Sequence, residues 1–299
     1  MAQSIGFEPD EVECARLSRS AGPKYRFFQF AVGESSEDRP IYLTRNPACS
    51  SLLKPNLDLM SHFLRGTEDL EVVETGIVRT VSLDGFLPTV DVSRVDFLDL
   101  DTQGTELDVL RGAKHFLGHS VLGINVEVEF SPIYGNQPLF NEVDSYLSQF
   151  GFVLFDLSRF HYRRKRYPIG LETRGQLLYG KAIYLKDHYS LPDTSLVEDS
   201  IALCVIAGYH GFHDYALDVL DNMLDRLSRA NRDADFQSIS SARRQYVTAL
   251  NSRSKVERLV RWLLKSKLRW LLHKAIPVCR KFDQAFTSAT TRSRFNWED

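Results

Sequence analysis

Two short stretches concentrate the residues able to do acid–base chemistry. Asp99 and Asp101 lie in V-D-F-L-D-L-D-T-Q-G, residues 95–104, and Glu127 and Glu129 lie in V-L-G-I-N-V-E-V-E-F, residues 121–130. In an extended chain, acids two apart share one face. Neighbouring strands stand roughly 5 Å apart, so the two pairs converge if these stretches are adjacent strands. Such a group has two chemical uses. Repulsion and burial can raise one carboxyl pKa until that group accepts a hydroxyl proton, or the carboxylates can hold a divalent cation that orients and acidifies the hydroxyl. The plain alternative is that one carboxylate bonds a ligand or a loop amide and the others are solvated. On the chemical reading Asp101 and Glu127 are the candidate catalytic residues, and Glu129 is a candidate for holding the substrate.

The surrounding residues predict how these acids are positioned. Val95, Phe97, Leu98 and Leu100 form a nearly continuous apolar run, the pattern of a strand covered on both faces. Gly104 allows a tight exit, Thr105 is placed to cap a helix with Asp108 three residues on, and Leu107, Leu110, Ala113 and Leu117 carry helical spacing. The acids therefore stand at the carboxyl end of a strand, the edge where open α/β sheets bind ligands. In the second stretch Val126, Val128 and Phe130 take one face and Asn125, Glu127 and Glu129 the other. Further strands are predicted at 4–7, 25–32, 39–44, 70–81, 152–157 and 177–185, with a helical turn at 83–87. The loop between the last two strands carries His161, Arg163, Arg164, Lys165 and Arg166. It suits an anionic part of an acceptor, or is a solvated hairpin; His161 is a further candidate base.

These residues resemble a known family. The segment 95–116 is similar to the strand-four signature of the FkbM methyltransferases, roughly I-D-F-L-K-I-D-x-E-G-x-E-x-x-V-L-x-G-A. Asp96, Phe97, Leu98, Asp101, Gly104, Glu106, Val109, Leu110, Gly112 and Ala113 match it; Asp99 replaces the usual lysine and Gln103 the usual glutamate. The resemblance runs from about Ile5 to Lys186. It implies a doubly wound, Rossmann-like class I methyltransferase sheet that uses S-adenosylmethionine to methylate a hydroxyl, with a sugar of a glycan or glycolipid as acceptor. G-F-E-P-D resembles the second strand, with Glu8 as ribose ligand; Val32 and Gly33 match the adenine side, and Asp101 the methyl-transfer region. Ser50 and Ser51 resemble the family's Ser-Ser-Leu loop, where a loop serine equally caps a turn. A first strand and its glycine-rich cofactor loop should precede Ser4. Their absence here leads to the expectation of an N-terminally truncated, late-started or degenerate domain.

Composition sets the outer bounds. With 299 residues, 43% hydrophobic and 25% charged, the chain suits a sizeable domain (1–189) and a helical extension (190–299). A net charge of −2 argues against a general nucleic-acid surface, yet residues 253–281 hold ten Lys or Arg and one acid. That stretch carries +9 and leaves −11 on the rest. Its leucines, with Trp262 and Trp270, make an apolar stripe that suits either packing on the main domain or a helix in an anionic membrane interface. Leu196 to Leu227 reads as a helical hairpin turning at Gly208 to Gly211. Four scattered cysteines imply neither a disulfide framework nor a zinc site, so a reducing cytoplasm is expected. No metal ligand set is assigned, and the oligomeric state is open. The rival to an enzyme is a non-catalytic interaction protein built on the same domain.

Overall fold

The computed structural model describes residues 4–251 apart from 167–169 and 171. The basic stretch 253–281 lies outside them. The fold is mixed α/β and falls into two compact units. One comprises residues 7–11 and 29–190, the other, among the described residues, 4–6, 12–28 and 191–251.

The unit containing the acids is built on two sheets. In the smaller, β3 (Ala31–Val32) runs parallel to the long β5 (Val72–Val81), and β4 (Asp38–Thr44) pairs antiparallel on its other edge. In the larger, the strand order is β6 (Phe97–Leu100), β7 (Gly123–Glu129), β9 (Gln176–Lys186), β8 (Phe152–Tyr162). Strands β6 and β7 are parallel, so the chain between them must cross over, which it does through α4 (Glu106–Arg111) and α5 (Lys114–His119). β9 is antiparallel to both its neighbours. Short helices α2 (Leu57–Met60) and α3 (Leu83–Phe86) and the longer α6 (Phe140–Ser148) complete this unit. Ile124, Val126 and Val128 point to one face of β7 and are wholly buried. Met60, Phe63, Leu70, Ile133, Tyr134 and Leu178 form a separate cluster, and Ala31, Ile41 and Leu52 fill the space under the smaller sheet.

The other unit joins β1 (Ser4–Phe7) and β2 (Tyr25–Phe28), paired with each other around α1 (Glu11–Ser20), with three helices: α7 (Leu196–Tyr209), α8 (His213–Arg229) and α9 (Asp233–Asn251). In α8, Ala216, Val219, Leu220, Met223 and Leu227 recur at helical spacing and are all buried. Gly211, at φ +87°, makes the turn between α7 and α8. The predicted hairpin is therefore present, and α9 extends it by a helix that no strong apolar period announces.

Among the described residues the strands form three sheets. Several local expectations are corrected. The predicted strand 25–32 is two strands in different sheets. Gln29 is exposed at the break and the Phe30 ring turns against Phe86, with centroids 5.2 Å apart. The predicted helix after Gly104 is two short helices that meet at Gly112 and Ala113. There the chain runs so close to the smaller sheet that a Cβ on Gly112 would lie 2.1 Å from the Gly33 carbonyl oxygen. Thr105 occupies the cap position of α4 without the expected side-chain bond, and Asp108 instead pairs with Arg39 at 2.9 Å.

Candidate functional site

Register places the acids. Asp99 lies opposite Asn125 across β6 and β7, Glu127 opposite Lys181 across β7 and β9, and Lys181 opposite Ser158 on β8. Directly opposed residues share a face of a sheet. A polar row therefore runs across the sheet at the carboxyl end of β6: Asp101, Glu127, Lys181, Ser158. The next row toward the end of β7 is Glu129, Tyr179, Phe160, in which the two rings stack with centroids 4.6 Å apart.

Gln103 ties the first row together. Its side-chain nitrogen donates to Asp101 Oδ1 at 2.6 Å and to Glu127 Oε2 at 2.8 Å. The Tyr134 hydroxyl lies 2.9 Å from both Gln103 Oε1 and the Cys49 carbonyl, so its one proton serves two acceptors. Ser51 Oγ donates to the Gln103 carbonyl at 2.7 Å and accepts from Leu53 N at 2.9 Å. The loop that presents Gln103 is tight: Gln103 itself is left-handed at φ +56° and Gly104 follows at φ +101°. Gly104 is also where the Gln137 side chain approaches, 2.7 Å from any added Cβ. Glu106 holds this loop from within, accepting from Thr102 N at 2.7 Å and Gly104 N at 3.0 Å. It takes over the capping that the sequence assigns to Thr105.

The electrostatics separate an open carboxylate from buried ones. Asp101 is 42% exposed on its side chain and pairs with Lys181 Nζ at 2.8 Å. Burial works to raise its pKa, but Lys181, together with the hydrogen bonds from Glu127 and Gln103, brings it below the usual carboxylate range. Lys181 stays charged because Asp101 outweighs its partial burial. Glu127 and Glu129 are 7% and 3% exposed. Burial, then the charge of Asp101, pushes Glu127 up to about 9. Burial, then the charges of Glu106 and Glu127, pushes Glu129 up to about 10. Glu106 rises to about 7, chiefly by burial. The two members of the pair are thus pushed in opposite directions, Glu127 toward keeping its proton and Asp101, facing Lys181, toward losing it.

The structure therefore brings Asp101, Glu127 and Glu129 into one group. Asp99 leaves it, accepting from Asn125 Nδ2 at 2.8 Å. A metal is not supported: no group of three or more His, Cys, Asp or Glu among the described residues is arranged to hold one. The acids are bridged by an amide and a lysine instead. Glu8 follows β1 and accepts from Asp10 N at 3.0 Å. Val32 pairs with Val81 in the smaller sheet, and Gly33 N donates to the Val81 carbonyl at 3.0 Å. Ser50 Oγ accepts from Thr44 N at 3.1 Å, the turn-capping alternative. Arg163 gives its carbonyl to Leu64 N at 2.9 Å; Arg164 lies over the Phe63 ring, 4.4 Å from the centroid, and bonds Gln176. His161 is an exposed member of β8, not of the loop.

Sequence reasoning missed Lys181 and undervalued Gln103. The signal for Lys181 was present: a lone lysine in L-L-Y-G-K-A-I-Y-L needs a partner when its strand is buried.

A family model described as "Methyltransferase FkbM domain" matches residues 2–154. No curated protein and no solved structure matches the chain. The matched residues include Asp101, Gln103, Glu127 and Glu129; Lys181 lies beyond them.

Proposed function

The chain belongs to the FkbM methyltransferase family, and from that premise we propose that it is an S-adenosylmethionine-dependent O-methyltransferase acting on a hydroxyl group, a sugar hydroxyl of a glycan or glycolipid. The observation that carries this is the amide-bridged pair Asp101 and Glu127 at the carboxyl end of the parallel strands β6 and β7. The crossover between those strands also supports reading the larger sheet as one half of a doubly wound class I fold.

The donor set fits the cofactor. Asp101 is ionised but paired with Lys181, and Glu106, Glu127 and Glu129 are pushed toward their neutral forms, so the site offers hydroxyl groups both acceptors and donors while its ammonium is already paired. Glu8 would hold the ribose hydroxyls, Val32 and Gly33 the adenine side, and Asp101 the region of transfer. When bound, the cofactor supplies an electrophilic methyl group on a sulfonium. The chain supplies the rest. Asp101, ionised and half-exposed, accepts a hydrogen bond from the acceptor hydroxyl and fixes its line of approach. As the O–H bond breaks and the oxygen bonds to the methyl carbon, the proton passes to Asp101, which leaves Asp101 and Glu127 both neutral beside the Lys181 ammonium. Glu129 and the Tyr179–Phe160 stack border the acceptor side, with Arg163 and Arg164 at the far end of β8. In this reading the protein works in a reducing cytoplasm, and residues 253–281 either pack on the main domain or meet anionic membrane. Co-sedimentation that does not depend on anionic lipid would remove that last part.

The test is calorimetric titration of the full chain with S-adenosylmethionine, followed by transfer of labelled methyl to candidate sugars. Micromolar binding weakened at least tenfold in Glu8→Ala, and transfer abolished in Asp101→Asn with binding retained, are expected. No binding at millimolar ligand would overturn the enzymatic reading and favour an interaction protein built on this domain.

A further inference from the structure

We propose that Gln103 is a positioning residue that makes Asp101 and Glu127 act as one acid–base unit, a carboxyl pair with one proton between them and room for one more. The inference rests on the methyl-transfer reading only for its catalytic consequence; the shared proton is a property of the free protein.

The geometry carries it. A primary amide has two N–H groups, and Gln103 spends one on each carboxyl, at 2.6 and 2.8 Å. The side chain cannot turn away, because its oxygen is bonded by Tyr134 at 2.9 Å and its own carbonyl by Ser51 at 2.7 Å. The left-handed backbone at φ +56° is part of the same clamp. The two carboxyls also hydrogen-bond each other directly, and the Gln103 amide, donating to both, fixes their mutual orientation.

The charges around the pair explain why a neutral bridge is needed. From the loop and α4 come Asp101 and Glu106, from β7 Glu127 and Glu129, and from β9 the single cation Lys181. Tyr134 and Cys49 face the same space and are held neutral by burial. Were all four acids ionised, one lysine would leave a net −3 in a mostly buried site, so protons are retained instead. A bridging residue that is itself an acid would add a further charge and force a further proton to stay. A bridging residue without hydrogen-bond donors would strip both carboxyls of the contact that favours their ionised forms. Either change raises the pH at which the pair gives up its proton.

The experiment is a pH titration of the full chain, without cofactor, by infrared difference spectroscopy of protonated carboxyl groups. Glu127→Gln assigns the band. We expect the wild-type protein to keep a protonated Glu127 at pH 7.5. In Gln103→Glu the midpoint should move up by one pH unit or more and one additional proton should be retained. In Gln103→Met, close in size but without N–H donors, the midpoint should also move up, without the extra proton. A Glu127 already ionised at pH 7.5 in the wild-type protein, or a midpoint unmoved in whichever variant folds, overturns the proposal. Failure of S-adenosylmethionine to bind would sink the functional reading and leave this titration standing.

Discussion

Asp101 and Glu127 are the same chemical group in opposite states, and the difference comes from what each touches. Asp101 keeps its charge because Lys181 sits 2.8 Å away at the open side; Glu127, 7% exposed, keeps its proton. Replacing Lys181 with Met removes that support. A carboxylate whose folded pKa is depressed contributes stability above its unfolded pKa of about 3.9, lost as pH falls through the folded value. In Lys181→Met that acid-side loss should disappear. Because the two side chains are 40% and 42% exposed, the cost at neutral pH should stay under about 1 kcal/mol by denaturant titration. Glu129 has the opposite sign. Its pKa is raised to about 10, so the neutral form stabilises the fold below the unfolded pKa, and stability drains away as pH rises toward the folded value. Glu129→Gln should flatten that decline and be more stable than the wild-type protein at pH 8.5, by roughly 1–3 kcal/mol. A variant less stable than wild type at both pH 5 and pH 8.5 would contradict this. The acids themselves were legible in the sequence, since two-residue spacing fixes a common face. Gln103 was not: its role depends on Tyr134 and Ser51, 31 and 52 residues away along the chain.

At the scale of elements, local pattern predicted most strands and helices, and failed where a neighbour decides. The continuous apolar run before Asp101 and the alternation around Glu127 fixed β6 and β7 within a few residues. The helix after Gly104 carried good spacing, yet it breaks at Gly112, where the Gly33 backbone comes too near for any side chain. That contact joins the two sheets of this unit and was invisible to periodicity. Gly112→Ala should therefore cost about 2–4 kcal/mol, seen as a lower denaturation midpoint. An unchanged midpoint would refute this. Glu106 is a second case: a first-turn acid of α4, it is 2% exposed and bonded to Thr102 N and Gly104 N. Glu106→Ala leaves those donors buried without partners. A loss of about 1–3 kcal/mol is expected by the same measurement, with the loop that carries Gln103 released.

The whole molecule is not divided where the sequence changes character. Residues 12–28 group with 191–251 rather than with the acids that follow them, so one compact unit is made from segments far apart along the chain. A chain ending at Ser190 should consequently lose more than a helical appendage. Increased dye binding to apolar surface with lower solubility is the expected outcome; a well-behaved, cooperatively folding product would refute it. No helix among the described residues is long and apolar enough to cross a membrane, and Cys14, Cys49 and Cys204 are free thiols. The site, by contrast, is set by counting along β7, β9 and β8, where Glu127, Lys181 and Ser158 occupy matched positions. One residue inserted inside β9 would turn Lys181 to the opposite side and leave Asp101 without its cation, whereas residues added beyond Arg166 in the connection leave the register of β9 with β7 and β8 as it is. Length variation in this protein should accordingly be unequal: tolerated in the connection in almost any number, and within the strands only where a bulge absorbs it.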